Sequence, residues 1–301
     1  MIRGPDARTD RFLTDLKQIQ DRLDRSQREI SSGRRINQVS DAPDEISHLL
    51  SLRSDLSQVE QIRANLGRVK AEVDTAENTI ATAIQIAERV EVLGAQAASD
   101  LTPADARITI ANEVEQLLGR LTSLANVQLE GRYLLAGDTD QTAPYSFDPS
   151  LADPVSAYQG SASTRLVQHP GGPRFSIART AQEIFDSVTP GNNVFDSVNA
   201  LRLSLRGDDG DAIRDALAGV RTAVTHMNNQ LGFYGGFQNQ VNEAVDFAAK
   251  QEVRLKAQIS SREDADITTA ILELSEARFH LETALNTEAR RPRQSLFDYL
   301  R

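Results

Sequence analysis

Between Leu49 and Val90 apolar residues recur at alternating steps of three and four: Leu49, Leu52, Leu56, Val59, Ile62, Leu66, Val69, Val73, Ala76, Ile80, Ala83, Ala87 and Val90. A rhythm kept this long fits one geometry, a continuous α-helix that lays a single seam against a partner helix. One irregular step, near Val59 and Ile62, predicts a local disturbance of the supercoil. Ser40 or Asp41 can cap the helix, Asp44 and Glu45 favour its first turn, and its end is expected near Gly94. At ~1.5 Å per residue such a helix is roughly 70–75 Å long. A compact domain seldom holds that, so an elongated rod is expected.

A second long seam runs through Ile213, Leu217, Val220, Val224, Met227, Leu231, Tyr234, Val241, Val245, Ala248, Leu255 and Ile259. Gln238 and Glu252 put polar groups on it. Gly232, Gly235 and Gly236 lie inside it, and each glycine weakens a helix by about 1 kcal/mol. A bend or a close approach is expected there.

Shorter helices flank these two. Phe12, Leu16, Ile19, Leu23, Ser26 and Ile30 form a heptad seam that stops at Ser31-Ser32-Gly33, with Gly33 just past the helix end. Thr102 as cap and Pro103 as first residue open a helix with the stripe Ile110, Val114, Leu117, Leu121 and Leu124. Helix returns over 193–205. A last helix over 264–290 carries Ile267, Ile271, Leu274, Leu281 and Leu285. Pro292 breaks it, and a short apolar tail with Leu296, Phe297, Tyr299 and Leu300 follows.

From 131 to 190 the character changes, because Gly, Pro, Asp and Ser become frequent and β-like runs appear at 132–135, 157–159, 165–168 and 174–178. His169-Pro170-Gly171-Gly172-Pro173 reads as a hairpin connection. The fold expected is mainly α with a small β-rich insertion. Both chain ends form an elongated antiparallel helical-bundle or coiled-coil rod, with the β domain at its tip. The sections are 1–43 (assembly helix and turn), 44–130 (outgoing rod), 131–190 (insertion), 191–260 (returning rod) and 261–301 (assembly helix and tail). Aromatics at 5% and the absence of Trp suit thin cores between long helices.

Chemistry is hard to find. A formal charge of -10 argues against nucleic acid or an anionic membrane surface as partner. Without Cys there are no disulfides, thiolate metal sites or cysteine nucleophiles. The start has no apolar core of a cleaved signal peptide, and no run of about 18 apolar residues is present to span a membrane. His48, His169, His226 and His280 stand in no ligand spacing and read as solvated or packed side chains. Asp208-Asp209-Gly210-Asp211 has the wrong spacing for a calcium loop and reads as a turn before a helix. No phosphate-binding glycine loop or nucleophile-elbow pattern occurs. No catalytic, cofactor or metal residue is nominated, and an enzyme is not expected.

Two stretches carry a resemblance. Ile30-Ser31-Ser32-Gly33-Arg34-Arg35-Ile36-Asn37 followed by Ser40-Asp41-Ala42-Pro43 resembles the N-terminal signature of the bacterial flagellin family, and Ser261-Arg262-Glu263-Asp264-Ala265-Asp266, with Ala270 and Leu274 following, resembles its C-terminal pattern. Gly131-Arg132-Tyr133-Leu134-Leu135-Ala136-Gly137, Pro43 and the tail at 295–300 are most similar to the hook–filament junction branch, the hook-associated protein 3 group. Arg278, His280 and Glu282 depart from the residues usual there.

The resemblance implies a structural component of the bacterial flagellum that forms the junction between hook and filament. It implies export through the flagellar type III apparatus, outside the cell and without a cleaved signal peptide. The implied partners are further copies of the chain, a hook-side junction protein, flagellin and an export chaperone. Polymerisation would run through the coiled-coil termini, at Phe12, Leu16, Ile19, Leu23, Ile30, Arg34, Arg35, Ile36, Asn37, Ile267, Ile271, Leu274, Leu281, Leu285, Leu296, Phe297, Tyr299 and Leu300. A filament subunit and an intracellular coiled-coil adaptor are the alternatives.

Overall fold

The computed structural model of the chain describes residues 7–163, 166–172, 174–176, 178–189 and 191–290. Seven α-helices occur among the described residues: α1 (Ala7–Ser32), α2 (Pro43–Ala97), α3 (Ala104–Ala125), α4 (Ala181–Phe185), α5 (Val194–Arg206), α6 (Gly210–Glu263) and α7 (Ile267–Ala289). Four short strands lie between α3 and α4: β1 (Gln128–Leu129), β2 (Arg132–Tyr133), β3 (Leu166–Gln168) and β4 (Arg174–Ser176). The chain divides into two compact units. One holds the residues up to Gln58 and from Gln251 onward; the other holds Val59–Lys250.

In the second unit α2 and α6 run antiparallel and bury the predicted seams. Val69, Val73, Ile80, Ala83, Ala87 and Val90 of α2, with Ile213, Val220, Met227, Tyr234 and Val241 of α6, belong to one continuous core. The irregular step falls at the edge of this unit: Val59 and Leu66 are buried, while Ile62 between them is half-buried. Gln238, the polar residue in the α6 seam, donates its side-chain amide to Asp74 at 2.8 Å and Glu77 at 2.7 Å. Lys70 reaches Asn242 at 3.1 Å one turn further on. These directional contacts fix the α2–α6 register, which an unbroken apolar seam leaves free to slip.

The glycines correct two expectations. α6 is unbroken through Gly232, Gly235 and Gly236, and a Cβ at any of the three would meet nothing within 4 Å. No close approach is there, and the helix persists because the interleaved Tyr234 and Phe237 are buried and their packing outweighs helix propensity. Gly94 does not end α2, which continues to Ala97. A Cβ on Gly94 would stand 3.0 Å from both Leu201 and Leu217, so this glycine lets α5 and α6 come close.

Thr102 is also displaced from its expected role. Pro103 takes the cap position of α3, and the Thr102 hydroxyl donates back to the Gln96 carbonyl at 2.9 Å. Arg107, 8% exposed, ties the same turn by donating to the carbonyls of Ala97 and Ser99 and pairing with Asp208 at 2.6 Å. Arg202, 1% exposed, does likewise for the insertion, bonding Glu115 of α3, Asn199 of α5 and the Ala152 carbonyl. A guanidinium sealed this deeply is tolerable only with its donors occupied.

The insertion holds less strand than expected. Of 132–135 only Arg132 and Tyr133 pair, with Gln128 and Leu129, and 157–159 forms no strand. Its backbone is satisfied by single cross-loop bonds, such as Ser161 N to Ala136 O and Gln159 N to Pro144 O. The β1–β2 turn places Glu130 at φ 51° and Gly131 at φ 78°, the left-handed pair that matches strand twist in a two-residue hairpin. Gly137, at φ 66°, has the Ser161 and Ser163 carbonyls where a side chain would go. The Gly131-to-Gly137 motif is therefore a turn plus a close approach. The β3–β4 hairpin forms as read, with Gly171 N donating to His169 Nδ1 in its connection. The five-residue α4, unforeseen, buries Ala181, Ile184 and Phe185 in the core.

Candidate assembly interface

The first unit brings the chain ends together. α1 presents the predicted seam: Ser26 is buried, and Phe12, Leu16, Ile19, Leu23 and Ile30 are half-buried. It packs on α7. On α7 the covered positions are Ala270, Leu274, Ala277, Leu281, Ala284 and Glu288, which also step by four and three. Alanine at alternate positions makes room for the larger α1 side chains, so the layers interdigitate.

This seam differs from the one read on α7. Leu274 and Leu281 lie on it, but Ile267 (40% exposed), Ile271 (49%) and Leu285 (50%) face outward beside it. Leu272 and Phe279 stand out further, at 60% and 67%. Sequence reasoning followed bulk, whereas the pairing selected the alanines. Ala270, Ala277, Ala284, Leu272 and Phe279 were missed, although the same count of small residues already worked on α2. Leu296, Phe297, Tyr299 and Leu300 lie outside the described residues.

Beyond α1 the two signature stretches meet. Gly33, at φ 69°, turns the chain. Arg34 and Asp264 form an antiparallel bridge, Arg35 N donates to Glu263 O at 2.7 Å, and Ala265 N donates to Gly33 O at 2.9 Å. The Glu263 carboxylate, 3% exposed, receives Arg34 at 2.9 Å and Arg53 of α2 at 2.7 Å. Arg35 donates to the Arg262 carbonyl at 2.8 Å and contacts Glu45 at 3.4 Å. Ile36 is buried. Asn37 donates its side-chain amide to the Arg34 carbonyl at 2.7 Å. The Arg-Arg-Ile-Asn stretch and the Glu-Asp-Ala-Asp stretch are thus two halves of one joint. Arg53 has no part in either motif and was missed.

Two carboxylates stiffen this joint. Asp41 accepts the N–H groups of Asn37 and Gln38 at 2.9 and 2.7 Å. Burial pushes its carboxyl up, but those N–H groups with Arg28 and Arg25 outweigh burial and hold it below the usual range. Asp266 caps α7 by accepting from Thr268 N and Thr269 N, and the Thr269 and Thr268 donors pull its carboxyl down as well.

Along one side of the α1·α7 pair runs a groove of two hollows, each about 560 Å³, which meet at Ile19 and His280. Phe12, Leu16, Ala270, Ala277 and Ala284 are among the lining residues, and Arg11, Arg22, Glu273 and Glu276 add charge. Among the described residues no group of His, Cys, Asp or Glu is placed to hold a metal ion, and no helix is long and apolar enough to cross a membrane. His48 and His280 are exposed on helices, and His226 contacts the Glu183 carbonyl at 2.9 Å.

Comparison with known proteins turns on the same two ends. The bacterial flagellin N-terminal helical region matches residues 9–140, and the bacterial flagellin C-terminal helical region matches 217–300. The chain belongs to the bacterial flagellin family. Flagellin FlaB1 of Treponema pallidum is 24% identical over 278 residues, covering 90% of each chain. In fold the chain is similar to flagellar hook associated protein-3 from Legionella pneumophila, with a TM-score of 0.61, 13% identity and coverage of 70% of this chain and 97% of that one. The flagellar junction protein FlgL from the same organism gives 0.55, 14%, 65% and 99%. This family member is a structural protein of the flagellum, and the intracellular adaptor reading falls away.

Proposed function

We propose that this flagellin-family chain is the hook–filament junction subunit and that it assembles through the outer faces of α7. The observation that carries the assembly reading is the division of α7 itself. Its alanines face α1, while Leu272, Phe279, Ile267, Ile271 and Leu285 face outward. An apolar surface left uncovered on its own chain marks an interaction surface. Repetition of one such contact around an axis is heterologous and builds a ring or helical array. The junction assignment is supported by the likeness in fold to hook-associated and junction proteins and by the Gly131-to-Gly137 turn. Further copies of the chain, a hook-side junction protein and flagellin are the expected neighbours, and an export chaperone is the expected escort before secretion.

The seam residues Phe12, Leu16, Ile19, Leu23, Ile30, Leu274 and Leu281 then hold the α1·α7 pair, and Arg34, Arg35, Ile36 and Asn37 set its joint. They serve assembly by shaping the unit. A filament subunit is the second reading, favoured by the near-full-length match to a flagellin.

Electron microscopy of a deletion strain decides between the two. Hooks without filaments, with flagellin monomers shed into the medium, are expected for the junction subunit. Loss of filaments without shed monomer would assign the filament role instead.

A further inference from the structure

In the second unit the end of α4 meets the start of α5 at three residues. The Asn193 side-chain nitrogen donates to Asp186 Oδ1 and to Asp196 Oδ2, both at 2.8 Å. The Asn193 oxygen accepts Asp196 N at 3.0 Å and so caps α5. Asp186 and Asn193 also form an antiparallel backbone bridge, and Asp186 N closes α4 on the Gln182 carbonyl. One amide therefore spans two carboxylates.

The Asn193 amide favours the charged Asp186 carboxylate, but burial and the neighbouring carboxylates outweigh it. The charged groups bearing on the pair are each other and Asp153, from the loop that Arg202 anchors. The buried Tyr145 hydroxyl lies beside Asp186 and has no hydrogen-bond partner of normal geometry. Each carboxylate crowds the next at close range, with no cation of the described residues set against them.

We propose that Asp186, Asn193 and Asp196 form an acid-tightened clasp between α4 and α5. One proton entering the cluster reduces the repulsion, and the Asn193 amide still spans the two side chains, though its bond to the protonated carboxyl is weaker. A protonated Asp186 also gains a donor beside the Tyr145 oxygen. Burial first, then Asp196 and Asp153, raise the Asp186 carboxyl above the ordinary range; burial, then Asp153, raise Asp196. A group raised in the folded state contributes stability that is full below its unfolded value and is lost as pH rises through its folded value. The clasp is therefore weaker at neutral pH than in acid. Asp41 and Asp266 of the first unit, both lowered, respond in the opposite sense.

The test is hydrogen exchange by mass spectrometry on the full chain at about pH 7.5 and about pH 5, corrected for intrinsic rates. Peptides from α4 and the first turn of α5 should exchange roughly threefold to tenfold more slowly at the lower pH. Asp186→Asn should abolish that dependence. Asp153→Asn, which removes charge without touching the Asn193 bonds, should reduce it and covers the case in which the first variant fails to fold. Equal protection at both pH values in the unsubstituted chain, or an undiminished dependence in both variants, overturns the proposal.

Discussion

At the residue scale the joint between the two chain ends depends on Glu263. Arg34 and Arg53 converge on its carboxylate, so Glu263→Gln leaves two guanidinium groups facing one neutral amide. Both arginines are about half exposed, and water screens part of the loss. The expected cost is about 1–2 kcal/mol. It should appear as faster proteolysis between α6 and α7, with the core of the second unit unaffected.

The same region should loosen in acid. Asp41 and Asp266 are lowered in the folded state, so their contribution is present above the unfolded value of about 4 and lost as pH falls through the folded one. Exchange at 37–41 and 266–269 should accelerate below about pH 4; unchanged protection there would refute these caps as stabilising.

At the scale of elements, the long helices distinguish two kinds of glycine. Gly232→Ala, Gly235→Ala and Gly236→Ala each place a methyl in open space on α6 and should stabilise the chain by about 0.5–1 kcal/mol. Gly94→Ala drives a methyl against Leu201 and Leu217 and should destabilise by about 1–2 kcal/mol. Urea unfolding of the four variants gives the signs. Position along the seam predicted neither outcome, because a glycine's worth depends on what lies across from it. The elements themselves were readable. The α2 and α6 seams and the end of α1 at Gly33 follow from a period of three and four and from capping chemistry. The seam on α7 was misread, because alanine and leucine look unequal in a sequence and become equivalent layers once α1 supplies the bulk.

At the scale of the whole molecule, the proposed assembly rests on side chains that the chain itself does not cover. Leu272→Ser with Phe279→Ser should leave the unfolding transition within about 0.5 kcal/mol of the parent, since exposed positions carry little of the fold. It should still abolish incorporation into flagella. A parallel loss of monomer stability would mean that these residues pack within the chain. The same two-sided readout on Ala277→Leu should show the reverse, a monomer disturbed by overpacking of the α1·α7 seam by about 1–3 kcal/mol.

By itself the sequence determined the helical class, the seams of the two long helices, the end of α1 at Gly33, and membership of the flagellin family through two short signatures. Those properties are local: they depend on periodicity, on backbone freedom and on side chains that bond to their own neighbours. Only the tertiary structure decided which residues face each other across 227 positions at Arg35 and Arg262, that the joint recruits Arg53, that alanines line the α1·α7 seam, and that Asp186 and Asp196 share one amide. Each of those is a pairing between segments, and a pairing is fixed by which surfaces complement one another in space, a quantity no single stretch of the chain contains.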